Sequence, residues 1–323
     1  MAETVSVADG LAPALALLRA GEAVVVPTET VYGLAGDATS GEAVARIFEI
    51  KGRPRFNPLI VHVADTAMAE RIGRFDPVSR ALAERFWPGP LTLVVPLVPQ
   101  ASVHALATVG LDTVALRMPR GFGRDLIRAF GKPLAAPSAN SSGGITGTTA
   151  EAVDADLGSK VRLIVDGGPA PVGVESTIVK AGGGSIVLLR PGGVTADEIE
   201  AVAKLPVERG MGGAVVAPGM LASHYAPGAA VRLNATAVEP GEALIAFGPD
   251  RIAGAAKAIA VANLSEAGDL REAAANLFSS LHRLDRSGAS VIAVEPIPAH
   301  GIGEAIMDRL ARAAAPRLVE APT

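Results

Sequence analysis

Cysteine is missing altogether from the 323 residues. That absence removes disulfide staples, thiolate zinc sites, iron–sulfur ligation and a cysteine nucleophile. Aromatics are scarce, at 3%, with one Trp, two Tyr and eight Phe, so the core has to be built from Val, Ile, Leu and Ala. Charge of neither sign is in excess: 29 Lys and Arg stand against 33 Asp and Glu, a formal net charge of -4. Averaging conceals no basic region either, because residues 1–205 carry 19 basic and 21 acidic residues and residues 229–323 carry 9 and 11. A broad nucleic-acid face needs a basic surface, so any such contact is expected to be local. No run approaches 18 uninterrupted apolar residues, and the opening MAETVSVADGLAPALALLRAG carries acids where a secretory leader carries lysines. The expectation is a cytoplasmic protein without a membrane partner.

The common nucleotide and metal signatures fail as well. Gly131-Lys132 is followed by Pro133, so there is no phosphate-binding P-loop. Gly301-Ile302-Gly303 opens a helix but lacks the third glycine of a dinucleotide site, with Ile306 in its place. Neither a G-x-S-x-G elbow nor an H-E-x-x-H helix occurs. His62, His104, His224, His282 and His300 lie without metal-ligand spacing, so no protein-ligated metal is expected.

Hydrophobic residues make up 49% of the chain, enough to bury a sizeable core, and the length fits about two domains. The spacing of apolar residues predicts helices over 11–20, 41–50, 77–86 and 196–203. Strands are predicted at 22–27, 59–63, 91–95, 113–117, 162–165, 176–179 and 186–189. Several strands follow one another without a helix, so the fold is α/β with a mixed sheet. Residues 206–228 hold five Gly and three Pro in 23 positions, which marks a linker. Beyond it, strands at 241–247, 257–264 and 289–294 alternate with helices at 269–286 and 303–314, the pattern of a small parallel-sheet α/β (Rossmann-like) domain over 229–323.

Several segments carry polar chemistry at strand ends, where α/β proteins place ligands. PTETVYGLAGDA (27–38) follows the first strand and offers Thr30 and Tyr32. In KGRPRFNPLIVH (51–62), Lys51, Arg53 and Arg55 alternate; in an extended chain all three project to one side, and a triphosphate is their obvious partner. Arg117 leaves a strand in LRMPRGFGR, and APSANSSGGITGTT (136–149) sets Ser138, Asn140 and Thr146 among glycines, a loop suited to phosphate oxygens. GVESTIV and LLRPGG place Ser176 and Arg190 in or after strands. Taken singly, each has a plain structural alternative, such as a polar turn, a solvated basic loop or a core histidine.

Their order is more specific. PTETVYGL, K-x-R-P-x-x-x-P-L-I-V-H, WPGPLT, R-x-P, S-A-N-x-S-G, S-T-I-V and R-P-G over about residues 11–205 resemble the YrdC-like threonylcarbamoyl-AMP synthase family. APGMLASHYAP (217–227) resembles the linker signature of its long two-domain form. The resemblance implies an ATP-binding nucleotidyltransferase of tRNA processing that forms threonylcarbamoyl-AMP and pyrophosphate from L-threonine, bicarbonate and ATP. The product would pass to a separate tRNA threonylcarbamoyl transferase. Matched by motif, Thr30, Tyr32, His62, Arg117, Ser138 and Ser176 would hold threonine. Arg53, Asn57, Thr113, Asn140, Thr146 and Arg190 would hold ATP, with Lys51 and Arg53 as the catalytic cations beside the phosphates. Tyr225 would close over the nucleotide from a linker acting as a lid. Mg²⁺ would ride on the triphosphate rather than on protein ligands. Thr146 stands where the family often has serine, and Ala222-Ser223 where a basic residue is frequent. Two rivals are weaker: carbamoyl transfer in hydrogenase maturation, whose proteins carry cysteine-rich zinc fingers, and a non-catalytic RNA-binding module, which the net charge disfavours.

Overall fold

The computed structural model describes residues 1–210 and 224–316. In the amino-terminal part, eleven strands form one sheet. In chain order they are β1 (Glu3–Ser6), β2 (Val24–Val26), β3 (Gly33–Asp37), β4 (Ile60–His62), β5 (Leu91–Pro96), β6 (Thr113–Arg117), β7 (Leu134–Ala135), β8 (Leu163–Asp166), β9 (Thr177–Gly182), β10 (Ser185–Arg190) and β11 (Val207–Arg209). They lie in the order β1-β8-β2-β3-β7-β4-β6-β5-β9-β10-β11. The sheet is mixed, as expected: β4 pairs β6 and β5 pairs β9 in parallel, whereas β5 and β6, and β9 and β10, are antiparallel. Runs such as VVV at 24–26 and LTLVV at 91–95 are wholly buried, as befits strands covered on both faces.

Helices α1 (Leu11–Arg19), α2 (Gly41–Lys51), α3 (Thr66–Glu70), α4 (Pro77–Phe86), α5 (Ala105–Thr108), α6 (Phe122–Phe130), α7 (Ala150–Leu157) and α8 (Ala196–Ala203) belong to the same unit. Several starts are set by side-chain caps: Ser40, Asp76 and Thr149 accept from backbone N–H groups, and Thr195 forms a reciprocal capping box with Glu198.

The carboxyl-terminal part is simpler. β12 (Ala230–Arg232), β13 (Glu242–Ala246), β14 (Val261–Asn263) and β15 (Val291–Val294) form a second sheet in the order β12-β15-β13-β14, every pair parallel. Helices α9 (Leu270–Asp285) and α10 (Gly303–Ala314) complete it. This is the small parallel α/β unit expected after residue 229.

Two corrections concern the segment between the units. The expected linker does not begin as a tether: Val207–Arg209 is a strand that pairs in parallel with β10. The chain also re-enters a buried setting by His224. Residues 211–223 lie outside the described part, so the expectation of a mobile lid over that stretch falls outside it too.

The units share apolar packing. Val31, Ile145 and Val174, all from amino-terminal loops, are buried in one cluster with Tyr225 and with Leu277, Phe278 and Leu281 of α9. Gly173, with a φ of 72°, lies so close to α9 that an added Cβ would meet the Ala274 carbonyl oxygen and the Ala275 Cα at 2.3 Å. A side chain at 173 would therefore push the units apart.

Candidate active site

One cleft gathers the strand ends. Thr30, Arg53, His62, Arg117, Ser138, Ser176, Arg190 and Tyr225, all expected site residues, line it with Glu175 and His224. The register explains part of this convergence: His62 at the end of β4 lies directly opposite Arg117 at the end of β6. Ser176 immediately precedes β9, and Arg190 closes the neighbouring β10.

At one pole, the buried Arg117 donates from Nη2 to Glu29 Oε1 at 2.7 Å and from Nε to the Gly89 carbonyl at 3.2 Å. The other Glu29 oxygen accepts from the Arg120 N–H at 3.0 Å. Glu29 thus fixes the guanidinium, which presents a planar fork suited to a carboxylate. Burial, and then the Arg117 charge, hold the His62 imidazole well below its ordinary pKa, so it acts as a neutral hydrogen-bonding group. Ser176 Oγ lies 2.7 Å from Thr92 Oγ1, and Ser138 Oγ donates to Asn140 Oδ1 at 2.6 Å.

The other pole is cationic. Arg190 donates to the Ser176 carbonyl from Nε at 3.1 Å and from Nη2 at 2.9 Å, and from Nη2 to Ser176 Oγ at 3.1 Å. Arg53 donates to the Asn57 and Pro58 carbonyls at 3.1 and 2.8 Å. Burial and the Arg190 charge bring Arg53 down to about 10. Two buried guanidinium groups that repel each other are costly unless an anion joins them.

Lys51 does not line the cleft. Its Nζ donates to the Ser138 carbonyl at 2.7 Å and to the Asn140 carbonyl, and burial, then Arg53, depress it to about 7. The expectation that Lys51, Arg53 and Arg55 project to one side is not met. Lys51 closes helix α2, Gly52 caps it in the left-handed conformation at φ 59°, and Arg55 is exposed. The αL turn breaks the extended run that the alternation assumed.

The Ser/Gly loop, expected to face phosphate oxygens, is braced by its own side chains. Asn140 Nδ2 donates to the Ser141 and Gly144 carbonyls at 2.8 and 3.0 Å, and the Ser141 N–H and hydroxyl both donate to Asp156. Ser138 and Asn140 present carbonyls to Lys51. Thr146 Oγ1 donates to Glu175 Oε1 at 2.8 Å. Asn57 is buried, and neither polar atom of its side chain has a hydrogen-bond partner among the described residues; such an orphan amide costs about 1–3 kcal/mol until something satisfies it. Thr113, at the start of β6, is half-buried and outside the cleft lining.

Tyr32 does not line the cleft. Its hydroxyl is shared between the Gly168 carbonyl at 2.8 Å and Asp166 Oδ1 at 3.1 Å, and accepts from the Gly167 N–H at 3.0 Å. Burial pushes the phenol up to about 12. The ring is fully buried in the core, so Tyr32 positions its neighbours: its N–H donates to the Gly147 carbonyl and its carbonyl accepts from Ala139.

Tyr225 is buried, with its ring 5.5 Å from Phe278, 4.1 Å from His224 and 5.1 Å from the Arg309 guanidinium carbon. Burial holds His224 down to about 3 and raises the Tyr225 phenol. Sequence reasoning missed the roles of Glu29, Glu175 and Arg309. Glu175 sits inside the GVESTIV motif without an assigned role. The signal for Arg309 was its position on the apolar stripe of α10, with Ala305, Ile306, Leu310 and Ala313.

A mixed sheet whose strand ends converge on arginines and hydroxyls, backed by a small parallel α/β unit, is the architecture of the two-domain YrdC-like proteins. Residues 16–192 match the Sua5/YciO/YrdC family described as "Telomere recombination", and residues 194–315 match "Threonylcarbamoyl-AMP synthase, C-terminal domain". The chain is similar to threonylcarbamoyl-AMP synthase of Bacillus subtilis, 41% identical over 96% of this chain and 94% of that one. It is also similar to that of Pyrococcus abyssi, 40% identical over 95% and 94%. The crystal structure of P. abyssi Sua5 complexed with L-threonine superposes with a TM-score of 0.84 and 38% identity, covering 94% of this chain and 93% of that one. The chain belongs to the threonylcarbamoyl-AMP synthase family, in its two-domain form, and is an enzyme of the nucleotidyltransferase kind. That displaces the reading as a non-catalytic RNA-binding module. Among the described residues, no helix is long and apolar enough to cross a membrane.

Proposed function

We propose that the chain joins L-threonine, bicarbonate and ATP into threonylcarbamoyl-AMP and pyrophosphate, in the cytoplasm, and that the product serves threonylcarbamoyladenosine formation in tRNA through a separate transferase. The observation that carries this reading is the cleft's two poles: the Glu29-fixed fork of Arg117 amid serine and threonine hydroxyls, beside the buried cations Arg53 and Arg190. The first suits an amino acid with a hydroxyl, the second a triphosphate. P. abyssi Sua5 has been crystallised with L-threonine, which supports the assignment of the first pole.

In this scheme threonine's neutral amine condenses with bicarbonate to give a carbamate and water, one carbamate oxygen attacks the α-phosphorus, and the bond to the β,γ-diphosphate breaks to release pyrophosphate. No enzyme nucleophile is required. The chain's contribution is positioning and the placement of Arg53 and Arg190 against developing charge, with Lys51 behind them bracing the Ser138–Asn140 loop. His62, held neutral, stays available as a hydrogen-bonding group at the threonine pole. Glu29 behind Arg117 and the cleft carboxylate Glu175 are both committed to arginines, so Mg²⁺ would be held by the phosphates and would supply charge neutralisation there. Tyr225, which lines the cleft, helps to keep water from a carbamate that readily loses CO₂.

The test is to supply ATP, L-threonine and ¹³C-labelled bicarbonate and to identify the product by mass spectrometry. The reading expects an adenylate containing threonine and one ¹³C; an adenylate of threonine without the label would overturn it.

A further inference from the structure

One side chain of the carboxyl-terminal unit bonds directly to a carboxylate that lines the cleft. Arg309, fully buried on α10, donates from Nε to Glu175 Oε2 at 2.8 Å, from Nη2 to the Pro191 carbonyl at 3.0 Å and from Nη1 to Asp308. Its guanidinium carbon also lies 5.1 Å from the centre of the Tyr225 ring, within cation–π range.

Apart from Asp308 on its own helix, each partner belongs to the cleft or adjoins it. Glu175 and Tyr225 line it, and Glu175 also takes the Thr146 hydroxyl at 2.8 Å. Pro191 follows Arg190 directly. One arginine therefore ties a strand-end carboxylate, the loop after an ATP-pole arginine and the Tyr225 ring into a single array. A second tie from the same unit runs from His282 on α9 to the Thr146 carbonyl, at 3.2 Å from Nε2.

An arginine placed only for stability has no need of these partners. Burying an ion pair brings little net stability compared with an apolar pair of the same volume. What the pair supplies is geometry: a fixed Glu175, and through it a fixed Thr146 hydroxyl, beside a fixed Tyr225.

We infer that Arg309 is a positioning residue through which the carboxyl-terminal unit sets the nucleotide pole of the cleft, acting by way of Glu175, Thr146 and Tyr225. The inference rests on the proposed reaction and adds to it a task for the second unit. It separates the two substrates, because Thr30, His62 and Arg117 of the threonine pole make no hydrogen bond or ion pair with Arg309.

The experiment compares Arg309→Met, Arg309→Lys and Glu175→Gln in the full chain. The Michaelis constants for ATP and threonine are measured from pyrophosphate release, threonine binding from calorimetry without ATP, and folding from thermal melts. Arg309→Met should raise the ATP constant about ten- to a hundredfold, the size expected for slight misplacement of reacting groups, and leave threonine binding within about twofold. Arg309→Lys, which keeps the charge beside Glu175 and Tyr225, should recover part of that loss. If Arg309→Met does not fold, Arg309→Lys and Glu175→Gln carry the test, each expected to weaken ATP and not threonine. Folded variants whose ATP constant is unchanged, or in which both substrates weaken alike, would overturn the inference while leaving the reaction standing. No pyrophosphate release by the unaltered chain would overturn the reaction and the inference together.

Discussion

Replacing Arg117 by lysine tests how the cleft reads an amino acid. Arg117 is only 4% exposed, and its Nη2 and Nε are spent on Glu29 and the Gly89 carbonyl. One guanidinium edge remains for a ligand carboxylate, in a plane that Glu29 fixes. Lysine keeps the positive charge that Glu29 requires but offers a point donor in place of a fork. The loss is a charge-assisted hydrogen bond in a sheltered site, about 1.5–3 kcal/mol, or roughly ten- to a hundredfold in affinity. Alanine would be the wrong choice, because it leaves Glu29 buried and unpaired at about 3–5 kcal/mol of stability and confuses folding with binding. The assay is pyrophosphate release as a function of threonine, with a thermal melt alongside. The expected result is a threonine KM raised by that factor, an ATP KM within about twofold of the parent and a folded protein. A threonine KM that does not move would refute the placement of the carboxylate on Arg117.

Arg53→Ala and Arg190→Ala should each lower ATP affinity about ten- to a hundredfold by calorimetry, and unchanged affinity in both would remove them from the nucleotide pole. Valine should be a poor substrate, since Thr30, Ser138 and Ser176 offer hydroxyls to a substrate hydroxyl; equal turnover of valine and threonine would mean that the pocket reads volume only. Lys51 sits at about 7 in the free protein, and a neighbouring triphosphate favours its charged form, so above that pH binding takes up a proton and ATP affinity weakens as pH rises. At pH 8, calorimetry in buffers of different ionisation enthalpy should therefore give different apparent enthalpies; identical values would contradict it. Burial alone would raise the Glu175 carboxyl, but Arg309 and Arg190 outweigh it and bring the group from 4.5 to about 2. Its contribution to stability is thus complete above about pH 4.5 and is lost as pH falls towards 2, so Glu175→Gln should flatten the fall in melting temperature across that window, and parallel slopes would count against the pairing.

Much of the site was legible because it lies at strand ends. The apolar run before Arg117 predicted β6 over Thr113–Arg117 as observed, and the parallel pairing of β4 with β6 then brought His62 beside it. What sequence reading lost were features set by single conformations or by distant partners. The left-handed Gly52 ends α2 at Lys51 and undoes the one-sided row of cations. Tyr32 read as a cleft hydroxyl, but Asp166 and Gly168, more than 130 residues away, claim it. Edge strand β1 has no buried residue and exists through its pairing with β8, so it left no hydrophobic pattern to find. Arg309 was readable as an anomaly on an apolar stripe, although its partners Glu175 and Tyr225 were not.

The most direct measurement of the central claim is pyrophosphate release from ATP, followed with both L-threonine and bicarbonate, with each alone and with neither. Release should depend on both together and disappear when either is withheld. Release at the same rate without threonine, or none with all three substrates present, would contradict it.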